Sequence, residues 1–85
     1  MELSKIQIEA LRKLANGGRI TRTIDEDTGN IDFIIEDSDQ NGAYLYKQTF
    51  EFLRNEGFIE IDSNPEPLMK TFKITHLGTC VLVDV

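Results

Sequence analysis

The sequence is poor in the residues that cross-link small folds or anchor them in membranes. It has one cysteine, Cys80, two prolines and no tryptophan in 85 residues. A single cysteine excludes an internal disulfide, so the core alone must stabilise the fold. No apolar run approaches the ~18 residues of a membrane-spanning helix, and the amphipathic first 18 residues, with their mixed charge, are typical of neither a signal peptide nor a transit peptide. We therefore expect one soluble, cytoplasmic domain covering residues 1–85 that does not bind membranes.

Groups that carry catalytic or metal chemistry are also scarce. His76 is the only histidine and lies four residues before Cys80, so the two side chains would meet on a helix. A Cys–His pair also needs an orienting group and a pocket, and Cys80 next to Val81 and Leu82 is more typical of a small core residue. The sequence has no zinc-type spacing of cysteines and histidines and no glycine-rich phosphate loop. We expect no enzyme activity, no cofactor and no metal.

Basic residues are few, and acidic residues are concentrated in one segment. Nine lysines and arginines face fifteen acids, which gives a net charge of −6. Seven acids lie between Ile24 and Gln40, where there is no base: Asp25, Glu26, Asp27, Asp32, Glu36, Asp37 and Asp39. Outside that segment nine bases face eight acids, a balance of +1. The chain is therefore a nearly neutral domain that carries one strongly acidic segment.

The first 40 residues predict a helix followed by a β-hairpin. Ser4 and Gln7 have the spacing of a capping box, and apolar residues then recur at helical intervals up to the sequence NGG, which predicts a helix over Lys5–Ala15. Arg19–Ile24 and Ile31–Glu36 alternate as strands do, and the acidic turn between them places Gly29 where a positive φ is needed. We expect an acidic hairpin insert at about residues 19–40.

The second half predicts a central helix and a second hairpin. Apolar residues cover half the circumference of a helix over Ala43–Glu56, so we expect Phe50 and Leu53 to be fully buried between the first helix and the C-terminal hairpin. That hairpin consists of strands at Phe58–Asp62 and Lys70–Ile74 with the proline-containing loop SNPEPL between them. Thr75 suits a helix N-cap, but glycine and valines leave residues 76–83 open between a short helix and a strand.

The sequence TFEFLRNEGFIEID, the proline-containing loop and KTFKITHLG together resemble the C-terminal half of winged-helix domains. The resemblance covers about Ala43–Leu82, and the first helix fits the first helix of that family. Winged helices usually place a second helix before the recognition helix, whereas this sequence predicts a hairpin there. The resemblance implies an α+β, winged-helix-like fold in the order helix, hairpin, helix, hairpin, short terminal element.

The resemblance also implies a small DNA-binding transcriptional regulator whose second helix lies in the major groove. The residues facing DNA would be Tyr44, Lys47, Gln48 and Glu51. Gln pairs with adenine, Lys with guanine or phosphate, and Glu with cytosine. The plainer interpretation is that Lys47 and Glu51 form an i,i+4 ion pair on a solvated face. The loop SNPEPL brings no base to a phosphate, so the electrostatic evidence for DNA binding is weak.

A protein-interaction module or inhibitor, of the kind found in phages and mobile elements, is the second hypothesis. The seven acids would imitate a phosphate backbone or dock on a basic or nucleic-acid-binding protein. The plainer interpretation is a solvated tip that blocks edge pairing. Asp25, Asp27, Gly29 and Glu36 loosely resemble a calcium loop, but the glycine is one residue early and strands flank it. A DNA partner and a basic protein partner both stay open, as do a monomer and a homodimer.

Overall fold

The computed structural model describes residues 2–62 and 68–84. It is an α+β fold whose elements are α1 (Lys5–Ala15), β1 (Arg19–Ile24), β2 (Ile31–Glu36), β3 (Gly42–Tyr44), α2 (Lys47–Asn55), β4 (Ile59–Ile61), β5 (Met69–Ile74) and α3 (His76–Val83). The predicted bounds of α1, β1 and β2 are confirmed. The loop SNPEPL lies outside the described residues except for Leu68. Within the described ranges no helix has the length and apolar character needed to cross a membrane.

Helix α1 begins and ends at the residues that its capping signals indicate. The Gln7 backbone N–H donates to the Ser4 hydroxyl oxygen at 3.2 Å, and the Ser4 N–H donates to the Gln7 side-chain oxygen at 2.8 Å. Two otherwise unpaired backbone donors are thereby satisfied. After the helix, Gly17 adopts a φ of +93°, which turns the chain sharply toward β1.

The five strands form one antiparallel sheet in the order β3-β2-β1-β5-β4. Strand β1 is therefore central and pairs with both β2 and β5. The hairpin pairs its strands along their whole length, from Arg19 opposite Glu36 to Ile24 opposite Ile31. The acidic hairpin thus belongs to the middle of the sheet, and only its turn and its base project beyond the paired strands.

Residues 42–44 are a strand, so the prediction that the second helix begins at Ala43 was wrong. Gly42, Ala43 and Tyr44 pair with Glu36, Ile35 and Ile34 of β2, and α2 begins only at Lys47. The Asp37 carboxylate accepts hydrogen bonds from the backbone N–H groups of Asp39 and Asn41, which closes the short turn before β3. Sheet pairing outweighs the helical propensity of this segment because it satisfies backbone groups of the outer edge of β2.

All three helices pack on one face of the sheet. Side chains from β1, β2 and β5 join residues of α1 and α2 in a single buried cluster, with Val81 and Leu82 of α3 packed against it. Phe50 stacks on Phe33 at 4.3 Å between ring centroids and meets the Phe72 ring edge-on at 4.9 Å. Phe50 is 7% exposed and Leu53 is 0% exposed, as predicted. The other sheet face is covered by no helix in the described residues.

Residues 76–83 form a helix, which settles the alternative that the sequence leaves open. The Thr75 hydroxyl accepts from the Gly78 N–H at 3.1 Å and donates to the Gly57 carbonyl at 2.6 Å, so the predicted N-cap also ties α3 to the end of α2. Gly78 allows a close approach, because a Cβ there would lie 2.5 Å from the Phe58 carbonyl oxygen. Cys80 is exposed, so its expected place in the core was wrong. It lies two residues from buried Gly78, about 200° around the helix.

Candidate functional site

Three of the four residues predicted to face DNA share the exposed side of α2. Lys47, Gln48 and Glu51 are all exposed, and Arg54 and Asn55 continue the same surface. Lys47 Nζ lies 3.8 Å from Glu51 Oε1, with the two side chains 73% and 53% exposed. The ion pair that the plainer interpretation predicts is therefore present in the structure. An exposed i,i+4 pair contributes only about 0.3–0.5 kcal/mol, so it leaves Lys47 free to exchange Glu51 for a phosphate.

Tyr44 does not belong to this surface, so its predicted place on the second helix was wrong. It lies on the edge strand β3 directly opposite Ile34. Its neighbour Leu45 is buried, whereas Tyr44 is 81% exposed. Ile34 alternates with the buried residues Phe33 and Ile35, so Tyr44 lies on the sheet face away from the helices. A ligand on the exposed side of α2 would not contact it there.

Gln48 lies beside a shallow depression between the N-termini of α1 and α2. This depression has a volume of about 370 Å³ and is lined by Ser4, Ile6, Gln7, Tyr46, Gln48 and Thr49. Ser4 and Gln7 already use their side chains in the capping box of α1. No hydrogen bond from the Gln48 side chain occurs within the described residues, so its amide is free to bond with an external partner.

Sequence reasoning missed a basic cluster, which we define as Arg22, Arg54 and Lys70, beside the exposed face of α2. Arg22 and Lys70 are directly opposite one another on the neighbouring strands β1 and β5. The guanidinium carbon of Arg54 lies 5.0 Å from the centroid of the Phe72 ring. Phe72 is two residues from Lys70 and therefore on the same face of β5. The cluster thus extends from the exposed face of α2 to the neighbouring strands β1 and β5.

A signal for Arg22 was present in the alternation of β1. Ile20, Arg22 and Ile24 have the same parity, so the apolar face of the strand carries one arginine. In the structure Arg22 is half-buried, and its Nε atom is buried without a hydrogen-bond partner. A buried donor without a partner costs free energy, so its presence needs a reason.

The seven acids do not form one surface. Asp25, Glu26 and Asp27 lie at the turn of the hairpin, and Glu36, Asp37 and Asp39 lie at its other end. The six-residue strands separate the two groups by about 17 Å. Asp32 lies between them near the turn, on the sheet face away from the helices, opposite Thr23.

The two acidic groups also differ in their surroundings. At the turn, Asp25 Oδ1 accepts from the backbone N–H of Asp27 at 2.8 Å, which fixes the turn. At the base, hydrogen bonds to the Asp37 carboxylate, above all from the Asn41 backbone N–H, lower its pKa, and Lys13 adds a smaller effect. Arg19, opposite Glu36, also lies near this end. Arg19 pairs with Asp62 at 3.9 Å, and the ion pairs of the described residues include no acid of either group, so the two groups differ only in the effect of Lys13 on Asp37.

His76 and Cys80 meet on α3 as the spacing predicts. Cys80 Sγ lies 3.4 Å from His76 Nε2, and both residues are exposed. Within residues 2–62 and 68–84 no acid or amide orients the imidazole ring, and no group of three or more metal-binding side chains occurs. The pair has the geometry of a surface contact on a helix.

The chain was compared with protein-family models, with curated proteins and with solved structures. No match was found in any of the three comparisons.

Proposed function

We propose that the chain is a non-enzymatic, winged-helix-like domain that binds DNA and acts as a small transcriptional regulator, with α2 in the major groove. The order of its elements supports the winged-helix part of the proposal. Helix α2 is followed directly by the antiparallel strands β4 and β5, the order that the C-terminal half of a winged helix has. The strands β2 and β3 stand where the usual second helix would be, and Phe33 and Ile35 of β2 belong to the same core.

The observation that carries the DNA part is the position of the basic cluster relative to α2. Lys47, Gln48 and Glu51 offer the hydrogen-bonding groups that distinguish base edges in a major groove. Arg54 lies on the same exposed face of α2, and its guanidinium group lies over the Phe72 ring. Phe72 is two residues from Lys70 on β5, and Lys70 is opposite Arg22. Phosphate contacts supply most of the affinity of DNA-binding proteins, and these bases provide them where the loop SNPEPL does not.

The net charge of −6 opposes DNA binding less strongly than the number alone suggests, because the acids lie at a distance from the basic cluster. The acids at the base of the hairpin begin at Glu36, opposite Arg19, which lies three residues and about 10 Å from Arg22. The acids of the turn begin at Asp25, three residues beyond Arg22, about 10 Å along the strand. At 0.1 M salt the Debye length is also about 10 Å, so their repulsion of a phosphate at Arg22 is substantially screened.

Fluorescence anisotropy with a random-sequence duplex tests the proposal. We expect binding at about 50 mM salt that weakens steeply as salt is raised, because bound cations release condensed counterions. Lys47→Ala should weaken binding to all sequences and make the salt slope smaller by about one, whereas Gln48→Ala should relax preference at one base position. Lys5→Ala, an exposed lysine on α1, is the matched control and should bind as the parent does. No binding of the parent at 50 mM salt would overturn the proposal.

A second candidate, docking of the acidic hairpin on a basic protein, is favoured by one observation only. The turn that carries Asp25, Glu26 and Asp27 is exposed and held in one conformation by the Asp25 carboxylate. DNA affinity distinguishes the two candidates. If α2 binds DNA, neutralising the three acids removes a repulsion and raises the affinity for DNA. If the turn is the binding surface, the change leaves DNA binding absent and slows association with a basic protein.

A further inference from the structure

We propose that the basic cluster of Arg22, Arg54 and Lys70 is a phosphate-binding site that takes a phosphodiester group of the nucleic-acid backbone. This inference rests on the proposed function and deepens it, because Arg22 and Lys70 lie on the sheet, apart from the residues of α2 predicted to read bases. It assigns the site a chemical class of ligand and a position between α2 and the central strands.

The pairing of β1 with β5 places two positive charges face to face. Arg22 is directly opposite Lys70, and side chains opposite one another in an antiparallel pair are about 4.5–5.5 Å apart at Cβ. Like charges in this arrangement repel each other and destabilise the sheet. Among the described residues neither base forms an ion pair with a carboxylate. A bound anion would turn this repulsion into an attraction for both bases.

The burial of Arg22 points to the same ligand. Its Nε atom is enclosed and lacks a hydrogen-bond partner, while the residue as a whole is half-buried. An arginine that is fixed by burial loses little conformational freedom on binding. Its planar group can form two parallel hydrogen bonds to a phosphate.

Arg54 completes the cluster from the helix side. Its guanidinium carbon lies 5.0 Å from the centroid of the Phe72 ring, and Phe72 is fully buried, so the ring gives the cation a rigid support. Arg54 itself is exposed. Two arginines and one lysine therefore approach the same region from α2, β1 and β5.

The surroundings favour a nucleic-acid phosphate over a phosphopeptide. Arg54 lies on the same exposed face of α2 as Lys47 and Gln48, about two turns or 10 Å along the helix, and those side chains suit a second phosphate and a base edge. A duplex that places its major groove on α2 brings its backbone phosphates beside that helix, at regular spacing. A phosphopeptide would use the cluster but would gain nothing from Gln48.

The test compares a double variant with a matched control of equal charge. Arg22→Gln with Lys70→Gln removes the opposed pair, and Lys5→Gln with Arg12→Gln removes two exposed bases of α1. Circular dichroism and thermal melting establish that both variants are folded. We expect the site variant to lose about tenfold or more in affinity for a duplex at 0.1 M salt, and its slope of log K against log salt to become shallower by about two. The control should change both quantities much less. Equal effects of the two variants would overturn the site.

Inorganic pyrophosphate and a phosphoserine peptide separate failure of the site from failure of the proposed function. If the parent binds no duplex, the proposed function fails and the site is judged by pyrophosphate alone. An increase in melting temperature with pyrophosphate, compared with sodium chloride at equal ionic strength, that disappears in the site variant supports the site. No increase in the parent overturns it. Binding of the peptide at least as tightly as the duplex would overturn the assignment to nucleic acid.

Discussion

Replacing Arg22 by methionine should make the isolated domain more stable and at the same time weaken its binding to DNA. The arginine keeps a donor buried without a partner and lies opposite Lys70. Methionine has a flexible, unbranched side chain that reaches as far as the arginine Nε, so it fills the space of the buried part without a charge. Replacing a residue that serves binding but lowers stability should give this combination of higher stability and weaker binding.

The expected change in the free energy of unfolding has two contributions. An unsatisfied buried donor costs about 1–3 kcal/mol, and an opposed pair of like charges costs about 0.2–1 kcal/mol. Arg22 is only half-buried, so water screens part of both terms and the lower end applies. We expect the free energy of unfolding to rise by about 1 kcal/mol. For a domain of this size that corresponds to an increase of about 4–8 °C in melting temperature.

Thermal melting and urea unfolding of Arg22→Met measure this gain. Arg12→Met, an exposed arginine on α1, is the matched control and should lie within about 0.5 kcal/mol of the parent. The stabilised variant should also bind a duplex more weakly and with a shallower salt dependence. A variant that melts below the parent would refute the reasoning, because the Arg22 side chain would then be stabilising the free domain.

Three further changes test the fold and the charge distribution. Leu53→Ala should lower the free energy of unfolding by about 2–5 kcal/mol because it leaves a cavity in the core, and a melting temperature within a degree or two of the parent would contradict this. Gly78→Ala should cost about 1–3 kcal/mol because its Cβ meets the Phe58 carbonyl, whereas Thr79→Ala, the control on the same helix, should cost much less. Neutralising the acids of the turn should leave or raise the melting temperature and raise DNA affinity, and weaker DNA binding would contradict the proposed role of α2. That variant is Asp25→Asn, Glu26→Gln and Asp27→Asn.

The elements that the sequence predicted correctly are those with local start and stop signals. Helix α1 has a capping box at Ser4 and a glycine stop at Gly17, and both are formed. The strands β1 and β2 alternate without interruption around a turn that contains Gly29, whose φ is +76°. Such signals depend on neighbours in sequence, so they can be interpreted without knowledge of the tertiary structure.

Strand β3 could not be predicted in this way. Residues 43–46 have apolar positions that continue the helical pattern of α2 toward its N-terminus. Ala43 and Tyr44 belong to a strand instead because the outer edge of β2 offers them hydrogen bonds, and because Asp37 closes the turn before them. Tyr44 was assigned to the wrong surface for this reason.

Only part of the candidate site could be predicted from the sequence, because the other part depends on which strands pair. Helical periodicity was sufficient to place Lys47, Gln48 and Glu51 on one exposed face of α2. The basic cluster depends on the pairing of Arg22 with Lys70, which are 48 positions apart in the sequence and meet only in the register of β1 and β5. The alternation of β1 indicates an arginine on its apolar face, but nothing local indicates which base lies opposite.

Titration of the isotopically labelled protein with a short duplex, followed by the backbone amide signals of each residue, tests most directly which surface binds DNA. We predict that the largest shifts occur at Lys47, Gln48 and Glu51 of α2 and at Arg22 and Lys70 of the paired strands. The same shifts should shrink as salt is raised from about 50 to 200 mM. Shifts confined to residues 25–32, or no shifts at 50 mM salt, would contradict DNA binding through α2.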